Sequence, residues 1–81
     1  MIGYRELDQV TLRASRSVTD NYGGGRHALP SGAVGTITAL LSDAFEVEFV
    51  IRPPRVSSDG EILDYGSTCI ATLTRDQVAP A

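Results

Sequence analysis

TITALLSDAFEVEFVI, residues 36–51, is the stretch on which the fold turns. Within residues 45–51, Phe45, Val47, Phe49 and Ile51 fall on one side while Glu46, Glu48 and Val50 fall on the other. A period of two with one apolar face is the signature of a half-buried β-strand. Residues 36–41 repeat the pattern, with Ile37, Ala39 and Leu41 sharing a face, and Ser42, Asp43 and Ala44 supply a short connection. The two segments together predict a β-hairpin.

Working outward, residues 8–14 set Val10, Leu12 and Ala14 against Gln9, Thr11 and Arg13, which predicts a first strand. Residues 68–73 alternate Cys69, Ala71 and Leu73 with Thr68, Ile70 and Thr72, a strand whose second face is only partly polar and is expected to be covered on both sides. Residues 16–31 and 52–60 read as long loops, because the first holds Gly23, Gly24 and Gly25 and the second holds Pro53, Pro54 and the run Ser57, Ser58, Asp59, Gly60. Residues 61–65 form a short additional strand after the Asp59-Gly60 turn. Thr74, Arg75, Asp76 and Gln77 have the spacing of a capping box, so a single helical turn is expected before Pro80, with Val78 tucked under the sheet. In LPSGAVG, residues 29–35, Pro30 and Ser31 suit the centre of a turn that Gly32 closes, and Gly35 marks a tight bend or a close approach.

Four or five short strands, no long helix and a 3-10-like tail predict an all-β fold: a small SH3-like antiparallel β-barrel of about five strands, with a short 3-10 turn near the C-terminus. A chain of 81 residues is one domain, 1–81. One cysteine, Cys69, forms no intramolecular disulfide, and with one histidine, His27, there is no zinc ligand set, so packing alone stabilises the fold and no metal or cofactor is expected. No apolar run reaches membrane length, and the opening MIGYRELDQV lacks the basic and apolar regions of a secretory signal, so a cytoplasmic location away from membranes is expected. All seven basic residues are arginines, set against ten carboxylates for a net charge of −3. That balance disfavours the phosphate backbone of a nucleic acid as a partner, and the lack of lysine removes Schiff-base chemistry.

Three blocks, YRELDQVTL (4–12), LPSGAVGTITALLSDAFEVEFV (29–50) and IATLTRDQVAP (70–80), resemble the bacterial domain-of-unknown-function family 4926 in order and spacing. The matching residues are Leu7, Asp8, Val10 and Leu12; Gly32, Gly35, Thr36 and Ile37; Phe45 to Phe49; and Thr72, Leu73, Gln77, Val78 and Pro80. The resemblance implies an SH3-like barrel and carries no catalytic residues. Its two departures, longer segments at the Gly-Gly-Gly-Arg-His stretch and at residues 52–67, locate any specificity of this chain in those loops.

The candidate binding residues lie there: Arg26, His27, Arg52, Arg55 and Tyr65. Arg26 and His27 follow three glycines whose N–H groups suit an anion, although no strand-turn-helix context surrounds them. His27 alone titrates near neutrality, yet it has no acidic or nucleophilic partner in sequence, so no catalytic set is assembled and the chain reads as non-enzymatic. Arg52-Pro-Pro-Arg55 is a stiffened segment that presents two guanidinium groups, either to a carboxylate-rich partner or to Glu46, Glu48 or Asp59 nearby. Tyr65, beside Gly66, is the exposed aromatic, while at least one of Tyr4 and Tyr22 belongs to the core. Cys69, in phase with Ala71 and Leu73, reads as a small buried hydrophobe.

These features predict a protein-interaction module whose partner is another protein. One alternative is an immunity or antitoxin-type protein whose acidic surface masks a toxin. A second is a nucleic-acid-binding barrel, since Gly35-Thr36-Ile37 resembles the KOW element. A third, on fold analogy, is an accessory barrel like that of the nitrile hydratase β-subunit.

Overall fold

The alternation at 45–51 becomes the central strand of a computed structural model that describes residues 3–19 and 25–81. That strand, β5 (Phe45–Arg52), is flanked by β4 (Val34–Leu40) and β8 (Ser67–Leu73). With β1 (Gln9–Leu12) and β9 (Val78–Pro80) they make a five-stranded antiparallel sheet in the order β8-β5-β4-β1-β9. Two separate two-stranded sheets branch from it, β2 (Arg16–Thr19) with β3 (Arg26–Leu29) and β6 (Arg55–Val56) with β7 (Ile62–Asp64). The fold is small and all-β. Its ladders leave β8 and β9 at opposite margins of the sheet.

Inward-facing residues of the strands build one core: Val10 and Leu12, Ile37, then Phe45, Val47 and Phe49, then Cys69, Ala71 and Leu73, closed by Val78. Gly35 sits at its tightest point. A Cβ there would lie 2.6 Å from Cγ1 of Val47 and 2.7 Å from Cε1 of Phe49, so β4 lies against those side chains only because this position carries none. Among the described residues, Tyr4 is the tyrosine that packs against the core, meeting Phe45 edge to face at 5.2 Å between centroids, with the Arg75 guanidinium over both rings.

Several boundaries differ from the sequence expectation for identifiable reasons. Residues 16–31 are not a plain loop: β2 and β3 pair through Val18↔His27 and send Val18 and Leu29 into the core. Tyr22, Gly23 and Gly24 lie outside the described residues. Residues 52–60 likewise contain β6, which pairs with β7 and so leaves a shorter turn than expected. The first strand stops at Leu12, where the Gly32 N–H takes the Leu12 carbonyl and the Arg13 N–H turns to Gln77, leaving Ala14 exposed.

In β4 the pairing steps from Ile37↔Val47 to Ala39↔Glu46, so Thr38 is bulged. The extra residue reverses the phase, and Leu41, expected beside Ile37 in the core, is exposed. The outer face of β8 is open rather than covered, with Ile70 and Thr72 exposed. The turn at LPSGA is shifted by one residue: Ala33 N–H bonds the Pro30 carbonyl, and Ser31 and Gly32 occupy the centre because Gly32, at φ 88°, supplies the left-handed backbone a type II turn needs.

The tail follows the sequence closely. The Thr74 N–H donates to Oε1 of Gln77 at 2.8 Å, one 3-10 turn spans Arg75–Gln77, and Val78 is buried where β9 pairs with β1. The Gly35 contact gives the clearest stability test. Gly35→Ala is expected to lower the unfolding free energy by about 2 kcal/mol, the usual cost of overpacking a closed core. Urea titration measures it, and a change under about 0.5 kcal/mol would show that β4 has room to spare.

Candidate functional site

The five candidate residues fall in two groups: Arg26 and His27 on β3, and Arg52, Arg55 and Tyr65 at the end of β5 and along the β6–β7 ribbon. On β3, Arg26 is exposed, and its Nε–H donates to Oγ of Ser17 at 3.2 Å. Alternation turns the next residue, His27, to the opposite face, where it is half-buried. There it lines an open groove of about 430 Å³ with Pro30, Val34, Val50 and Ile51. Arg26 and His27 are therefore neighbours in sequence that serve different surfaces.

Arg52, Arg55 and Tyr65 do come together, at the β6–β7 ribbon. Arg52, the last residue of β5, forms a two-pronged contact with Asp64 of β7: Nε to Oδ2 at 2.9 Å and Nη2 to Oδ1 at 3.2 Å. The Asp64 Oδ1 also accepts the Gly66 N–H at 2.8 Å. Gly66 itself has φ 80°, and a Cβ on it would come within 2.5 Å of the Arg52 carbonyl oxygen and 2.8 Å of the Pro54 nitrogen. Only glycine fits between the ribbon's two roots. The Arg52 hydrogen bond, seconded by the Gly66 N–H, holds the Asp64 carboxyl below its ordinary value.

This knot adds a carboxylate to those the sequence offered Arg52. Asp64 is not among them, and it is delivered to the guanidinium because β7 folds back beside the end of β5. Arg55 stands across the ladder from Asp64 and is exposed, and Tyr65 is exposed at the ribbon's edge.

The far end of the ribbon is equally well built. The Ser57 N–H donates to the Glu61 carbonyl at 2.8 Å, the Gly60 N–H to the Ser57 carbonyl at 3.0 Å, and Gly60 takes φ 89°. Oγ of Ser57 donates to the Asp59 carboxylate, which also receives the Glu61 N–H, and these bonds hold the Asp59 carboxyl below its usual range. Between root and tip stand apolar side chains in water: Val56 is 57% exposed, Ile62 49%, Leu63 57% and Tyr65 83%. Val56 and Ile62 face one another, whereas Leu63 is an extra residue of β7 with no counterpart in β6.

Of these, sequence reasoning named only Tyr65 as a site residue. The signal for the others is present at residues 61–65, where Ile62 and Leu63 are adjacent and so cannot both face a core in one strand. Among the described residues no three His, Cys, Asp or Glu side chains are grouped to hold a metal ion, and no helix is long and apolar enough to cross a membrane. No protein-family model matches the chain, and neither curated proteins nor solved structures supply a match.

The Arg52–Asp64 contact makes a pH prediction with a definite sign. A carboxyl whose folded pKa is depressed adds stability above its unfolded value, near 3.8, and loses that contribution as pH falls through the folded pKa. In an NMR titration Asp64 is expected to protonate below 3.8, and Arg52→Gln to move its midpoint upward. An unmoved midpoint would mean that the contact does not persist in solution.

Proposed function

We propose that this chain is a non-enzymatic protein-interaction module, an SH3-like barrel that meets its partner through the β6–β7 ribbon. One observation carries the reading: a two-stranded ribbon of five strand residues, with Tyr65 directly after it, displays four large apolar side chains to solvent and is held in shape at both ends. An isolated two-stranded ribbon is marginally stable in water, and apolar side chains in a stable domain are normally turned inward. Here the root knot and the hydrogen-bonded tip keep them presented, an arrangement suited to association.

Closure of the five-stranded sheet into a barrel belongs to the same proposal. It is supported by the order β8-β5-β4-β1-β9 and by the single 3-10 turn that carries the chain from β8 to β9. The blocks resembling family 4926 fall on β1, β4, β5 and the β8–β9 tail, the framework strands, so we place the chain in that family and assign its own specificity to the ribbon between them. We place it in the cytoplasm, with Cys69 as a buried thiol.

Photo-crosslinking in the native host tests the reading. A benzophenone amino acid at position 65 is expected to yield a covalent adduct with another polypeptide, and the same group at Thr72, exposed on β8, to yield none. Adding Leu63→Asp should abolish the adduct. No adduct from position 65, or equal yields from both positions, would remove the ribbon from the contact surface.

A further inference from the structure

We infer that Arg13 is a latch on the outer edge of β9 and that, together with Pro80, it bars a further β-strand from joining the sheet there. The inference stands independently of the interaction reading above, since no ribbon residue takes part in it.

The register of β1 and β9 shows which backbone groups face outward. In an antiparallel pair, opposed residues alternate between those that exchange backbone hydrogen bonds and those whose N–H and C=O point away from one another. The Arg13 N–H donates to the Gln77 carbonyl at 3.0 Å, and the Ala81 N–H to the Gln9 carbonyl at 3.3 Å. These are bonded pairs, with Thr11↔Ala79 as the bonded pair between them. Leu12↔Val78 and Val10↔Pro80 are then the non-bonded pairs. The N–H and C=O groups of β9 at those positions point away from β1, to the side on which, among the described residues, no strand is paired.

Such an edge is a ready template for another strand, which would pair with both the N–H and the C=O of each outward residue. Here each outward residue lacks one of the two. The Val78 carbonyl accepts the Nε–H of Arg13 at 2.9 Å, and Pro80 has no N–H to give. Arg13 is fixed in position for this contact: its own N–H is held by Gln77, and its carbonyl accepts the Ser31 hydroxyl at 2.9 Å. The strand itself, Val-Ala-Pro, carries no charge that would repel a neighbour, so protection of the edge falls to the arginine and the proline.

Sedimentation velocity of the full chain after incubation at high concentration tests the latch. Arg13→Met combined with Pro80→Thr frees both missing groups. At about 0.5 mM, within the range where exposed strand edges associate, this variant is expected to lose monomer at least about tenfold faster than the parent chain. Hydrogen exchange reads the same event at one atom: the Val78 amide should slow in the associated fraction, because a joined strand takes that N–H. Ile37→Val, which loosens the core and leaves the edge closed, should keep the parent's rate. If the double variant fails to fold, Arg13→Met alone replaces it and should still lose monomer faster than Ile37→Val.

A folded edge variant that stays monomeric as long as the parent, an Ile37→Val protein that associates as fast as the edge variant, or associated material whose Val78 amide exchanges no more slowly would overturn the inference. So would a parent chain whose Val78 amide slows as concentration rises, because its edge would then be open with Arg13 in place.

Discussion

Everything in this fold is arranged around the contact between Gly35 and the inner face of β5. Val47 and Phe49 are both almost wholly enclosed, and they reach that state by pressing on β4 at the one position that has no side chain. A chain of this size, with no disulfide and no grouped metal ligands among the described residues, depends on such close packing, because a small domain buries a smaller share of its surface than a large one. The constraint fixes β4 beside β5. The ladders to β1 and β8 then follow in register, and β9 is added when the capped 3-10 turn delivers Val78 beneath Leu12.

The two ends of β5 are finished differently, and function is read from that difference. At the Phe45 end, Tyr4 and Arg75 cover the strand with an aromatic pair and a stacked guanidinium. At the Arg52 end, the chain passes through two prolines into a ribbon whose apolar residues lie outside the core cluster. Arg52, Asp64 and Gly66 act as its hinge pin: the ion pair is exposed and of modest worth by itself, but it works together with a glycine that lets backbone meet backbone at the root. Exposed ion pairs of this kind fix geometry more than they add stability.

The legible parts of the fold were those written in local patterns. Strand alternation placed β5 and the buried face of β8, the Thr74 and Gln77 spacing placed the 3-10 turn, and Gly35 stood out as a close approach. What escaped depends on partners distant in sequence. The β2–β3 hairpin has a single core residue in each strand, Val18 and Leu29, too few for a period to register. The bulge at Thr38 leaves no mark in composition, yet it turns Leu41 out of the core. Of the candidate residues, Arg55 and Tyr65 stand exposed as read, whereas Arg52 is claimed by Asp64, a carboxylate twelve positions away that only the β6–β7 turn brings back. The sequence marks the apolar ribbon residues as strand formers, whereas their exposure is a tertiary fact.

The central claim is that the ribbon's apolar side chains are held for a partner and contribute little to the fold. Replacing Val56, Ile62, Leu63 and Tyr65 together by threonine and measuring urea unfolding in dilute solution tests it most directly. The account predicts an unfolding free energy within about 0.5 kcal/mol of the parent chain, as for surface positions generally. A loss above about 2 kcal/mol would mean that these residues stabilise the folded domain itself, and would contradict it.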